Sequence, residues 1–124
     1  RVMLCNISLF KLSNRFIQEL HVDAVTLIEV IEHIEKKSIS TLSRLIFQRV
    51  RPRLVVITTP NASFKLDKKT LTSFGHTFEW SERECDVWGT QVSKKYGYTF
   101  TRSLIKNKLF VRGSHLCVFK LKEK

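Results

Sequence analysis

Two short apolar runs, each followed by polar residues, constrain the fold of this chain more than any other feature. They occupy residues 24–28 and 54–58, and both have the length and β-branched content of buried strands. The residues between them are numerous enough for a helix, which predicts a βαβ unit with parallel strands. Ligands bind such sheets at the carboxyl ends of the strands, so a functional site is expected at residues 29–33 and at Asn61.

The first of these positions carries Glu29, Glu32 and His33. If the chain enters a helix here, positions i, i+3 and i+4 share a face and the three side chains converge. His76 lies in a long connection after the second strand, at the same sheet edge, and is the best candidate for a fourth ligand. Mixed oxygen and nitrogen ligands suit Mg, Mn, Co or Fe better than a closed structural zinc site. The alternative is an exposed helix start whose carboxylates only favour the helix dipole.

The remaining pattern predicts three helices and further strands within one α/β domain over residues 1–124. Such an order of elements is typical of the later strands and helices of a doubly wound, mostly parallel sheet. The first elements in chain order are a strand tail at 2–4, a short helix or helical loop at 9–20, and a helix from Ser38 or Ser40 to Pro52. A further helix is opened by a capping box of Ser81 and Glu84 and closed by Gly97, and antiparallel strands follow at 98–105 and 115–121.

The charge balance favours a polyanionic partner. Lys and Arg number 22 against 11 acidic residues, which gives a formal net charge of +11. Basic side chains that neutralise phosphates release counterions, so RNA is the natural partner, although the charge could serve solubility alone. Arg44, Arg49 and Arg51 lie on the polar side of the second helix, where a solvated face is expected and RNA binding is the alternative. Phe78 and Trp80 could stack on a base, but burial in the core is favoured.

The other cysteines and histidines indicate no further site. Cys5, Cys85 and Cys117 are odd in number and widely spaced, so no disulfide framework follows, which suits a reducing compartment. His21 and His115 have no acidic neighbours at useful spacing and are interpreted as structural.

No membrane association is predicted. No apolar run approaches the roughly 20 residues that span a bilayer, and no charged-then-apolar leader precedes the body. The chain begins at Arg1 in what looks like the middle of a domain, so we expect a soluble fragment. In isolation it is expected to aggregate through exposed sheet edges.

Several blocks of this sequence resemble the small-RNA 3′-terminal 2′-O-methyltransferases of the Hua-enhancer type. A Glu-x-x-Glu-His turn paired with a distant His-x-Phe-Glu-Trp is far more specific than either half. The blocks are residues 23–34 (DAVTLIEVIEHI), residues 56–61 (VITTPN) with Phe64, residues 76–80 (HTFEW), and residues 96–98 (YGY).

The resemblance implies a Rossmann-like class I methyltransferase domain that uses S-adenosylmethionine and a divalent cation, Mg or Mn. It also implies that Glu29, Glu32, His33 and His76 bind this cation. In the family, the cation contacts both the 2′ and the 3′ hydroxyl of a terminal ribose and activates the 2′ oxygen. The implied substrates are the 3′ ends of small single-stranded RNAs of the piRNA, siRNA or miRNA type. In animals these RNAs are held by Piwi or Argonaute proteins, and a cytoplasmic location, including RNA granules, is expected.

The sequence departs from the family pattern on the cofactor side. No glycine-rich adenosylmethionine loop is recognisable, so the amino-terminal cofactor-loop half of the domain is expected to be missing. Ser8 matches a family serine near the cofactor and is the predicted cofactor contact. Cys85 takes a usual Phe position, and Gly75 stands where an Asp often precedes the histidine. Two alternatives follow, namely an inactive basic RNA-binding remnant and a metal-dependent hydrolase on the same four ligands.

Overall fold

A computed structural model describes residues 8–62, 75–106 and 113–123. Four of its strands form one sheet in the order β1-β2-β4-β3. The strands are β1 (Ala24–Ile28), β2 (Leu54–Pro60), β3 (Tyr98–Ile105) and β4 (Ser114–Leu121). The helices are α1 (Asn14–Leu20), α2 (Ile39–Ser43), which continues as a π-helix (Arg44–Val50), and α3 (Glu82–Tyr96), with 3₁₀ turns at Leu9–Lys11, Ile31–His33 and Lys36–Ser38.

The sheet confirms the predicted βαβ unit. Strands β1 and β2 pair in parallel, with Leu27 opposite Ile57. The later strands form the predicted antiparallel pair, and β4 also pairs with β2, which places Cys117 opposite Ile57. The carboxyl ends of β1 and β2 therefore meet at one edge of the sheet, where polar side chains follow both strands. The strand predicted at residues 2–4 lies outside the described residues.

Strand β1 is more exposed than its sequence predicts, and the expectation of a buried strand is wrong. Only Leu27 is buried, whereas Ala24, Thr26 and Ile28 are exposed. The reason is position, because β1 lies at one end of the strand order and pairs with β2 on a single side. An apolar run predicts a strand, but it does not predict what covers the strand.

The core lies between one face of the sheet and the helices that pack on it. Alternate residues of β2 and β4 supply Val55, Ile57, Cys117 and Phe119, all at most 1% exposed. Phe47 of the π-helix contacts Phe119 edge-on, with ring centroids 4.8 Å apart. The period of two in the strands thus presents an apolar face to helices that carry their own apolar stripe.

The second predicted helix exists but changes its pitch. Its buried residues include Ile39, Leu42, Leu45 and Ile46, whereas Val50 is half-buried, and Ser38 precedes the helix without a side-chain cap. The chain leaves the π-helix at Arg51, which has a left-handed φ of 50°, immediately before Pro52.

Arg49 and Arg51, two arginines of the predicted charged face, hydrogen-bond to other elements of the fold. Arg49 donates to Asn14 Oδ1 at 2.6 Å and to the Leu12 carbonyl at 3.2 Å. Arg51 Nη1 donates to the Tyr96 carbonyl at 2.9 Å. All three arginines are exposed, as the expected solvated face requires, and Arg49 and Arg51 also hydrogen-bond to neighbouring elements.

Helix α3 has the ends that the sequence predicts. Ser81 Oγ accepts from the Glu84 N–H at 3.2 Å, and Glu84 Oε2 accepts from the Ser81 N–H at 2.9 Å. Gly97 ends the helix with a left-handed φ of 79°. Gly89 allows close packing on β3, since a Cβ there would lie 2.2 Å from the Phe100 ring.

Residues 9–20 form two short helical pieces, in agreement with the predicted short helix or helical loop. A 3₁₀ turn, Leu9–Lys11, precedes α1, and Ser13 caps α1 by accepting from the Phe16 N–H at 3.1 Å. Across the part of the chain that the structure describes, no helix has the length and apolar character needed to cross a membrane.

Candidate metal centre

The turn after β1 does not form the helix that the sequence predicts. Glu29 ends the strand with φ 52°, a conformation uncommon for a residue with a side chain. Its N–H donates to the Thr58 carbonyl at 3.0 Å, which continues the parallel pairing one residue past β1. The chain then enters the 3₁₀ turn, Ile31–His33. The expected i, i+3, i+4 arrangement on one α-helical face is therefore wrong, because the left-handed Glu29 interrupts any helix.

Glu32 is the buried carboxylate of this turn, with only 1% of the residue exposed. Its Oε2 accepts a hydrogen bond from Thr59 Oγ1 at 3.0 Å. Its Oε1 is buried with no hydrogen-bond partner among the described residues and lies 3.8 Å from His33 Nε2. Burial raises the pKa of the Glu32 carboxyl, and the nearby Glu29 charge adds to the rise, while the hydrogen bond from Thr59 opposes it.

His33 is oriented by a backbone carbonyl from a distant segment. Its Nδ1 lies 3.0 Å from the Gly75 carbonyl oxygen, which can only accept, so Nδ1 carries the proton. In the neutral ring the lone pair is then on Nε2, the nitrogen nearer Glu32. Gly75 itself has a left-handed φ of 72°.

Thr77 fixes the segment that carries His76 to the turn that carries Glu32. The Thr77 N–H donates to the Glu32 carbonyl at 2.8 Å. Its Oγ1 lies 2.6 Å from the Ile34 carbonyl and 3.1 Å from that of Glu32. These bonds bring His76 to the turn across more than 40 residues of sequence.

His76 is held by a carboxylate. Its Nδ1 lies 2.8 Å from Glu79 Oε1, and only 12% and 3% of the two side chains are exposed. The carboxylate can only accept from the ring, so Nδ1 donates and the lone pair of the neutral imidazole is on Nε2. The rings of His33 and His76 are 4.8 Å apart and nearly perpendicular.

The fold therefore brings together three of the four predicted metal ligands. A ligand atom from each of Glu32, His33 and His76 lies within 4.8 Å of the other two. Glu29 is exposed and is not part of this group, although its charge reaches Glu32. An unpartnered, buried carboxylate oxygen beside two imidazoles fits a divalent cation with retained open positions. The predicted four-ligand set stays a prediction.

The other predicted positions lie outside this group. Ser8 is exposed before the first 3₁₀ turn, and its side chain caps no helix. Asn61 is buried, with 2% of the residue exposed, and its backbone holds neighbouring segments together. Its N–H donates to the Gly113 carbonyl at 3.0 Å, and it forms an isolated parallel β-bridge with Trp80. His115 is fully buried with Nε2 2.9 Å from the Trp80 carbonyl, as its structural interpretation requires. Phe78 and Trp80 are core residues.

Sequence reasoning assigned no role to three residues that support the centre, namely Thr59, Thr77 and Glu79. Thr59 and Glu79 were within reach of a sequence argument. Thr59 directly precedes the end of β2, and Glu79 stands three residues after His76, a spacing that allows local contact. Thr77 had no such signal, because its acceptors lie more than 40 residues away.

The cysteines at the core behave as buried thiols. Cys85 and Cys117 are free, with their sulfur atoms 3.2 Å apart. A hydrogen bond with Cys117, together with burial, raises the pKa of the Cys85 thiol. The same hydrogen bond lowers the pKa of the Cys117 thiol, but both sulfur atoms are buried and face each other, so neither of these two described cysteines is placed to react with an external group. Cys5 lies outside the described residues.

Comparison with known proteins supports the predicted resemblance. A protein named small RNA 2′-O-methyltransferase from Xenopus tropicalis is 39% identical over 80 residues, which cover 62% of this chain and 22% of the relative. Its namesake from Tetrahymena thermophila is 34% identical over 82 residues, covering 61% of this chain and 19% of the relative. This chain resembles the small-RNA 2′-O-methyltransferases. It spans about a fifth of the length of these curated relatives, and no family model matches it.

Solved structures show the same fold. The methyltransferase domain of bacterial CtHen1 has a TM-score of 0.69 and 30% identity, covering 93% of this chain and 59% of that one. The small RNA methyltransferase HEN1 has a TM-score of 0.72 with 24% identity, covering 94% of this chain and 15% of that one, and shows the fold alone. The mixed four-stranded sheet is thus a partial class I methyltransferase fold, as predicted.

Proposed function

We propose that this chain is the metal-binding part of an enzyme that methylates the 2′ oxygen of the 3′-terminal ribose of small single-stranded RNAs. The observation that carries the proposal is the buried Glu32 Oε1, which lacks a hydrogen-bond donor among the described residues and lies beside two histidines. The resemblance to small-RNA 2′-O-methyltransferases supplies the reaction.

The residues that would hold a divalent cation are Glu32, His33 and His76, with Glu29 as the fourth predicted ligand. Two of these side chains are already oriented in the metal-free protein, because Thr59 hydrogen-bonds to the Glu32 carboxylate and the Gly75 carbonyl accepts from the His33 ring. Such preorganisation lowers the cost of placing a ribose at the site. A bound Mg or Mn ion would supply Lewis acidity toward the 2′ and 3′ hydroxyls of that ribose.

S-adenosylmethionine is proposed as the methyl donor, because the relatives are methyltransferases. It supplies an electrophilic methyl group on a sulfonium. Ser8, the predicted contact with this cofactor, is exposed and therefore accessible to a ligand.

The proposed substrates are small RNAs of the piRNA, siRNA or miRNA type with free 3′ ends. The +11 charge favours such a polyanion, and the proposal includes Piwi or Argonaute proteins as the carriers of the RNA. A cytoplasmic location, with RNA granules, is part of the same proposal and follows from the substrate.

The test is methyl transfer from labelled S-adenosylmethionine to a short single-stranded RNA by the full-length protein. We expect transfer to an RNA with a free 3′ end, none to a 2′-deoxy end, and loss of transfer with chelator. Glu32→Ala and His76→Ala should abolish transfer, whereas Glu19→Gln, which alters only an exposed ion pair with Arg15, should not.

The two alternatives predict different results. An RNA-binding remnant would bind RNA with a steep salt dependence, regardless of the terminal hydroxyl, and would transfer no methyl group. A hydrolase would cleave RNA or an ester without S-adenosylmethionine. Transfer that persists with chelator would contradict the proposed metal dependence.

A further inference from the structure

We propose that Glu79 is a positioning residue of the metal centre, which holds His76 in the tautomer that binds metal and strengthens it as a ligand. The inference rests on the proposed function, because it concerns the same metal centre. It adds a residue that neither the spacing argument nor the resemblance placed in the site.

The first support is the contact itself. Glu79 Oε1 lies 2.8 Å from His76 Nδ1, and just 3% of the Glu79 side chain is exposed. A carboxylate so deeply buried is costly unless charged or polar groups compensate it. The His76 ring is one such group, and the pair forms the inner part of a carboxylate–histidine–metal arrangement.

The second support is that Glu79 is fixed independently of His76. Its neighbours Phe78 and Trp80 are core residues, 9% and 4% exposed. The Trp80 carbonyl accepts from the Ala62 N–H at 2.8 Å and lies 2.9 Å from His115 Nε2. The core therefore sets the position of the Glu79 carboxylate, and this carboxylate sets the orientation of the His76 ring.

The third support is the contrast between the two histidines. His33 is 45% exposed, and its Nδ1 donates to the neutral carbonyl of Gly75. His76 is 12% exposed and donates to a carboxylate. A charged acceptor holds and polarises the ring N–H more strongly than a neutral one does, so His76 Nε2 is expected to be the stronger of the two nitrogen ligands.

The first test needs no metal. In the metal-free full chain, ¹⁵N NMR of the imidazoles should find the proton on Nδ1 of both His33 and His76. In Glu79→Ala the proton of His76 should shift toward Nε2, while His33, still bonded to Gly75, keeps its tautomer and serves as an internal reference. An unchanged His76 tautomer in a folded Glu79→Ala protein would overturn the inference.

The second test measures Mn²⁺ affinity by calorimetry or by the EPR signal of free Mn²⁺. Glu79→Gln keeps an acceptor for the His76 N–H but removes the charge, so it should lose about 10–100-fold in affinity. Glu19→Gln removes an exposed charge elsewhere and should bind as the unaltered protein does. Wild-type affinity in Glu79→Gln would overturn the proposed strengthening, and this variant remains informative if Glu79→Ala fails to fold.

The two experiments separate this inference from the proposed function. If the unaltered protein binds no Mn²⁺ but Glu79→Ala still shifts the His76 tautomer, the metal centre fails and the positioning of His76 by Glu79 stands. If Mn²⁺ binds and Glu32→Gln abolishes binding while Glu79→Gln does not change it, the metal centre stands and the role of Glu79 fails.

Discussion

The Thr59 hydroxyl donates to Oε2 of Glu32 at 3.0 Å, and this bond joins the carboxyl ends of two parallel strands. Thr59 lies in β2, and Glu32 lies in the turn that follows β1. The bond fixes one oxygen of the carboxylate and leaves Oε1 buried without a donor among the described residues. Within the described part of the chain, this oxygen is buried and unsatisfied when no metal is bound, which costs stability.

Glu32→Gln should stabilise the metal-free protein. The Gln carbonyl can accept from Thr59, and its NH₂ group would take the place of Oε1, 3.8 Å from His33 Nε2, so that a small shift of the side chain would let it donate to that nitrogen. Satisfying a buried group is worth about 1–3 kcal/mol, so the free energy of unfolding should rise by about that amount. Urea denaturation with excess chelator measures it. Thr59→Val, which removes the donor to Oε2, should be destabilising under the same conditions. A Glu32→Gln protein less stable than the parent would contradict this account of the site.

Divalent metal should stabilise the unaltered protein and leave Glu32→Gln unchanged. Any ligand that binds only the folded state raises stability by RT ln(1 + [L]/Kd), about 2.7 kcal/mol at one hundred times Kd. Thermal unfolding over a Mn²⁺ series checks this expectation. An equal shift of Tm in both proteins would place the metal somewhere other than Glu32.

Gly89→Ala should destabilise the fold although Ala favours helices. A Cβ at this position would meet the Phe100 ring at 2.2 Å, where helix α3 packs on β3. Phe100 in turn packs on Phe119 with centroids 4.9 Å apart, so the ring has little room to move. The overpacking should cost about 1–3 kcal/mol by denaturant unfolding. The neighbouring Thr90→Ala is exposed and should be neutral or slightly stabilising. Similar effects of both substitutions would exclude the steric explanation.

The ion pair of Asp86 and Arg102 should give a pH-dependent contribution to stability. Arg102 donates to both carboxylate oxygens, at 2.6 and 3.0 Å, and this hydrogen bonding lowers the pKa of the Asp86 carboxyl. A lowered folded pKa means that the contribution is present above the unfolded pKa of about 3.9 and is lost as pH falls through the folded value.

The matching experiment compares Asp86→Asn with the parent protein in urea from pH 7 to pH 2.5. Because the Asp86 side chain is 51% exposed, the difference at pH 7 should stay below about 1 kcal/mol. It should shrink toward zero as pH falls below 4 and should also shrink in high salt. If Asp86→Asn is still less stable than the parent by the same amount at the lowest pH, the stability difference does not originate in the charge of Asp86.

Two arginines on neighbouring turns should respond differently to truncation. Arg49→Ala removes the bonds to Asn14 Oδ1 and the Leu12 carbonyl and should destabilise by about 1–2 kcal/mol. Arg44 is also exposed but makes no such bond among the described residues, so Arg44→Ala should change stability by less than about 0.5 kcal/mol. If this surface meets RNA, Arg44→Ala will weaken RNA binding with no loss of stability, which filter binding at two salt concentrations would measure. If Arg49→Ala is as stable as the parent, the bonds from Arg49 to Asn14 and Leu12 do not stabilise the fold.

The sequence by itself determined the elements and their local ends. The apolar runs placed β1 and β2, and the Ser81–Glu84 capping box and Gly97 bounded α3, because these signals depend on neighbours within a few residues. The same local information, with a motif resemblance, predicted one site of Glu29, Glu32, His33 and His76, of which the structure groups the last three.

Only the tertiary structure decided how that site is built. The left-handed Glu29 replaced the predicted helical turn, and β1 proved exposed because of its place in the strand order. The bonds that aim the ligands, from Thr59 to Glu32 and from His33 to Gly75, join residues 27 and 42 positions apart. Spacing along the chain predicts contacts within a turn, whereas contacts between segments depend on the packing of the domain. That packing buries Oε1 of Glu32 where none of the described residues donates to it.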